Sequence, residues 1–192
     1  MPQNFSILNA LLLSVFTGFG IVVPIVALLR TSNLKKIAVK EAFILSAIQV
    51  LRVAGILYFV LFCVDAYFQY QATNGSASLV TVQLPMFGPY WLVYWAPAFM
   101  YLLLSQLFWI KRLYIKKAAL ITLAIMLLIL PSKHLLIIIT TIHRDYLPGN
   151  WMMYQGDFVV KLLLNIVVFI FVVFAVMAGT GKLKKLAEIN EK

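Results

Sequence analysis

The chain has 192 residues, of which 64% are hydrophobic and 11% charged, and it carries a net charge of +10. Soluble domains have roughly 45–50% apolar and about 25% charged residues, so a water-soluble fold is excluded: it could not hide this much apolar surface. The expected fold is all-α and integral to a membrane, one transmembrane domain over residues 1–192 with about five spanning helices of roughly 20 residues each.

The predicted helices run over about 7–29, 42–67, 89–110, 118–142 and 158–180. The apolar runs are continuous rather than alternating, which favours helices over barrel strands. A helix also satisfies its own backbone groups, as lipid cannot. Residues 1–6 carry no side-chain cation, so the first run is not expected to be a cleaved signal peptide. The basic residues sort by segment. Arg30, Lys35, Lys36 and Lys40 follow the first helix; Lys111, Arg112, Lys116 and Lys117 follow the third; Lys182, Lys184, Lys185 and Lys192 follow the fifth. These segments hold twelve of the sixteen cations and fall on one side of a five-helix chain. Basic loops stay in the cytoplasm, so the N-terminus is expected outside and the C-terminus inside. The positive charge thus points to a membrane rather than to nucleic acid. Tyr and Trp gather near the expected helix ends, as in an interfacial belt.

Polar groups inside the runs are the candidate functional residues. Ser46, Gln49 and Arg52 share one face of the second helix. Arg52 lies about 15 Å from its predicted cytoplasmic end by helix rise, and no acid of the chain falls at that depth. Tyr101 and Ser105, or Ser14 and Thr17, are candidate hydrogen-bond partners. Otherwise Arg52 faces a neighbouring subunit, a lipid head group or a polar ligand, or snorkels to the edge. Gln49, Arg52 and Tyr101 are therefore the intramembrane interface candidates. A second group lies toward the outer side: Asp65, Lys133, His134, His143, Arg144 and Asp145. Asp65 and Lys133 are an expected ion pair, and His134 is a candidate proton carrier, by residue type alone. The group reads either as a salt-bridged rim or as a quinone and proton site. His134 and His143 are the only histidines. They fall on opposite faces of any shared helix, so no haem is expected. No metal site is expected either, and Cys63 reads as a packing residue.

Residues 88–112, GPYWLVYWAPAFMYLLLSQLFWIKR, and residues 134–154, HLLIIITTIHRDYLPGNWMMY, carry a further signal. In order and spacing they resemble two segments of NrfD/polysulfide-reductase-type membrane subunits, above all the quinol-oxidising membrane subunits of alternative complex III. SVFTGFG, at residues 14–20, is similar to a helix opening the second bundle of those subunits. The likeness covers their C-terminal half, one four-helix bundle plus one helix. Where the family carries a Glu–Arg pair, this chain has Lys133 and His134. The resemblance implies a multi-pass subunit of a respiratory complex in a bacterial cytoplasmic membrane. Such a subunit binds quinone or quinol, holds no covalent cofactor or metal, and partners other membrane subunits and lipids. A non-catalytic assembly subunit is the alternative. A small transporter fits less well, for lack of an internal repeat.

Overall fold

The computed structural model describes residues 3–73, 86–87, 91–129 and 157–183. All the elements described are helices. α1 is Gln3–Leu28, α2 Leu34–Thr73, α3 Trp91–Leu107, α4 Lys111–Ile115, α5 Lys117–Ile129 and α6 Asp157–Gly179. Three of them contain stretches long and apolar enough to cross a membrane: Ile7–Leu28, Lys35–Gln71 and Val159–Gly179.

α1 is apolar on nearly every side, the composition of a helix that is surrounded. It occupies the centre, with α2, α5 and α6 packed around it. Leu12, Val15, Phe16, Phe19 and Val23 are all buried. Phe19 meets Phe108 edge-on at 5.2 Å and Phe169 at 6.3 Å between ring centroids, joining three segments at one level. Aromatic edge-to-face pairs of this kind add about 0.5–1.5 kcal/mol beyond the area they bury.

The contacts fix the helix directions. Ser14 meets Asn165, and Gly18 faces Phe169, so α1 and α6 run parallel. Phe16 meets Tyr58 while Lys40 reaches Ala27, so α2 runs against α1. Gly55 meets Ser105 and Phe62 meets Trp95, so α3 runs against α2. Gly20 lies against Ala124 and Leu128 of α5, and Ala27 shares a cavity lining with Leu120. α5 therefore runs against α1.

Several helix boundaries differ from the expected ones. α2 has 40 residues rather than the 26 of positions 42–67. Its early start is local chemistry: Asn33 Oδ1 accepts the Lys35 amide at 3.0 Å, an N-cap. The lysine-rich stretch behind it consists of good helix formers, although its charge reads as loop. At the far end, Gln69 donates to Asp65 at 2.6 Å and Gln71 to Tyr67 at 2.6 Å, extending the helix past position 67 through i,i+4 pairs. The third predicted helix, 89–110, stops early, at Leu107, and a separate short helix, α4, follows where a loop was expected. The described part of the fourth is Lys117–Ile129, and the rest of 118–142 lies outside the described residues. α6 matches the fifth closely and ends before Gly181, whose φ of +69° is the left-handed conformation common just beyond a helix end.

Much of the outward surface is apolar. Val160, Leu163, Leu164, Val167 and Phe171 of α6 are each 58–74% exposed. Soluble monomers rarely show contiguous apolar surface on this scale, and hydrocarbon is the solvent it suits.

Candidate functional site: an arginine at a helix break

Nothing in the local sequence at residues 108–110 supplies a Gly or Pro to end α3. The chain leaves the helix through tighter bonds, the Trp109 amide to the Gln106 carbonyl at 3.0 Å and the Ile110 amide to the Leu107 carbonyl at 3.1 Å. Ile110 is extended, at φ −77° and ψ 104°. Carbonyls at such an end lack intrahelical partners. Arg52 supplies one: its Nη2 donates to the Phe108 carbonyl. The exchange is reciprocal, because Gln106 Nε2 donates to the Arg52 carbonyl at 3.1 Å. Gln106 Oε1 in turn accepts the Trp109 indole N–H at 2.6 Å.

Two aromatic faces complete the setting. The Arg52 guanidinium carbon lies 4.7 Å from the Trp109 ring centroid and 5.7 Å from that of Tyr114. Both separations fall within cation–π range, which contributes up to about 2 kcal/mol when the pair is desolvated. The C-terminus of α3 adds the negative end of its helix dipole, equivalent to about half a charge. Even a half-buried charge such as that of Arg52 needs compensation. Here it comes from a helix end and two ring faces, with no carboxylate required. One atom stays outside this arrangement: Arg52 Nε is buried without a hydrogen-bond partner among the described residues.

The close approach of α2 and α3 depends on Gly55. A Cβ at that position would land within the Ser105 side chain. Ser105 is buried and returns its hydroxyl to the Leu102 carbonyl at 2.8 Å.

The other sequence candidates separate from Arg52. Gln49 Oε1 accepts from Lys182 Nζ at 3.1 Å, and Ser46 Oγ accepts from the same ammonium at 3.0 Å. The face expected to be common to Ser46, Gln49 and Arg52 is thus divided between the end of α6 and the end of α3. Tyr101 does not reach Arg52. It stacks on Phe16 at 4.2 Å and meets Tyr58 edge-on at 5.1 Å. Ser14 Oγ lies 2.8 Å from both the Ala10 carbonyl and Asn165 Oδ1, joining α1 to α6, and Thr17 donates to the Leu13 carbonyl at 2.9 Å. Asp65 accepts from Gln69 on its own helix. Lys133, His134, His143, Arg144 and Asp145 lie outside the described residues, and so does the expected pairing of Lys133 with Asp65.

Sequence reasoning passed over Gln106, Trp109, Tyr114 and Lys182. Gln106 was detectable as the one amide within LLLSQLFW. The two aromatics read as belt residues, because nothing in one dimension shows a ring lying over a cation. Among the described residues no group of three or more His, Cys, Asp or Glu converges on a metal-sized space. No family model, curated protein or solved structure matches the chain.

Proposed function

We propose that the chain is a multi-pass subunit of a quinone-linked respiratory complex of the alternative complex III kind. In this reading it lies in a bacterial cytoplasmic membrane and supports quinol binding or subunit assembly without a redox centre of its own. One observation carries the reading: the segment resembling such subunits, residues 88–112, includes the helix break that holds Arg52. Its Gln106, Phe108 and Trp109 contact or support the arginine directly.

Five crossings are part of the proposal: α1, α2, α3 with α4, α5 with the apolar residues that follow it in sequence, and α6. The alternating helix directions support this, as do Arg30, Lys40 and Lys117 lining one cavity at one end of the bundle. The N-terminus is then outside and the C-terminus cytoplasmic. In a Cys63→Ser background, Ser32→Cys and Lys116→Cys should label from the same membrane face; labelling from opposite faces overturns the five-span arrangement.

The functional test is native purification of the tagged chain, with mass spectrometry of what accompanies it. The expected result is a large assembly containing iron–sulfur or molybdenum subunits, with quinol turnover lowered when the chain is deleted. A chain that migrates alone overturns the reading. The alternative, a purely structural subunit, is favoured by the internal use of the motif's polar groups. It predicts that His143→Ala with Lys133→Ala leaves the turnover of the intact complex unchanged, whereas a quinol-binding role predicts a fall.

A further inference from the structure

Where α1 ends, α2 begins and α4 meets α5, the bundle opens into a cavity of about 910 Å³. Eight of its fifteen lining residues are Ala, Leu or Ile, and three are cations, Arg30, Lys40 and Lys117. Glu41 is the single acid, so the lining carries a net charge of +2. Lys40 is anchored, donating to the Ala27 and Leu29 carbonyls at 2.8 Å each. An ammonium has three donors, which leaves Lys40 one for a ligand. Arg30 and Lys117 are exposed at the rim.

The cavity is at the depth where the α1 apolar span, Ile7–Leu28, gives out. In a bilayer that is where hydrocarbon meets head groups. We infer that the cavity binds an anionic glycerophospholipid. The phosphate sits among Arg30, Lys40 and Lys117, and the upper acyl chain lies on Ile44, Leu45 and Leu120. Charge and size select this occupant together. Basic pockets between membrane helices attract anionic head groups. A bare phosphate would leave most of 910 Å³ and the apolar wall unused, whereas pockets of roughly 300–1,000 Å³ suit ligands of drug size. Glu41 offers an acceptor to a head-group hydroxyl, so phosphatidylglycerol is the probe of choice. The inference does not depend on the respiratory role.

The test is native mass spectrometry of the full chain in detergent, with phosphatidylglycerol and phosphatidylcholine at equal concentration. The wild type should retain phosphatidylglycerol about thirtyfold better, the scale set by a net two positive charges near a membrane surface. Arg30→Gln with Lys117→Gln should bring the ratio close to one. Arg30→Lys with Lys117→Arg, and the charge-matched Lys36→Gln with Arg112→Gln outside the cavity, should both keep the preference. Equal retention of the two lipids by the wild type overturns the inference without reference to any variant's folding. An equal loss in the cavity and control variants overturns it in favour of general surface charge. Displacement of the lipid by excess glycerol 3-phosphate would assign the site to a free phosphate ester instead.

Discussion

The seam between α1 and α6 and the seam between α2 and α3 face the same problem with different materials. Along α1 and α6, Gly18 lets Phe169 approach so closely that a Cβ would overlap it. Contact there is mainly apolar, with Ser14 and Asn165 the polar exception. Along α2 and α3, Gly55 performs the same service for Ser105, but below it the seam turns polar around Arg52, Gln106 and the Phe108 carbonyl. In lipid, association has no hydrophobic drive between helices, so close packing of small residues and interhelical hydrogen bonds must supply it. The first seam relies chiefly on packing and the second on both. A steric change should therefore damage the first, while the second should be sensitive to single polar atoms.

The largest effect should come from Gly18→Leu, which sets a branched side chain against Phe169. Overpacking typically costs about 1–3 kcal/mol and occasionally more, and this site belongs at or above the top of that range. Thermal unfolding in detergent should show it, and Phe169→Ala in the same chain should recover a good part. Absence of recovery would mean that the two helices do not meet there. Next comes Arg52→Met, which leaves the Phe108 carbonyl without its donor. The expected loss is about 1.5–3 kcal/mol, the range for hydrogen bonds to charged groups, with Arg52→Lys losing less. If Arg52→Met were as stable as the wild type, the arginine would be pointing elsewhere. Gln106→Leu removes the donor to the Arg52 carbonyl and the acceptor for Trp109, and should cost about 1 kcal/mol. The smallest change is Tyr101→Phe. The ring stacking stays and Arg52 is untouched, so the shift should remain within about 0.5 kcal/mol. A larger loss would restore Tyr101 as a polar partner.

Helices were legible in the sequence because unbroken apolar runs leave lipid few other options. Their ends were less so. The start of α2 was hidden because Lys35, Lys36 and Lys40 read as loop by charge, while Asn33 and the helix formers around them continue the helix. The end of α3 was legible to within three residues, at 110 against Leu107, but the contact made there was not, since its donor lies on another helix, 56 positions away. Arg52 was recognisable as costly from its type and position alone. Its partner was sought among the side chains of Tyr101, Ser105, Ser14 and Thr17 or outside the chain, in a neighbouring subunit, lipid head group or ligand, and the structure gives it a backbone carbonyl. A search by residue type overlooks carbonyls, because every residue has one.

The pairing of Arg52 with Phe108 bears on biogenesis. An arginine near the centre of a lone helix raises the insertion cost by roughly 2.5–3.5 kcal/mol on translocon-derived scales. The acceptor that offsets this emerges from the ribosome 56 residues later. α2 and α3 thus gain by leaving the translocon as a hairpin, and a nascent chain truncated between them should integrate less efficiently than one released after Trp109.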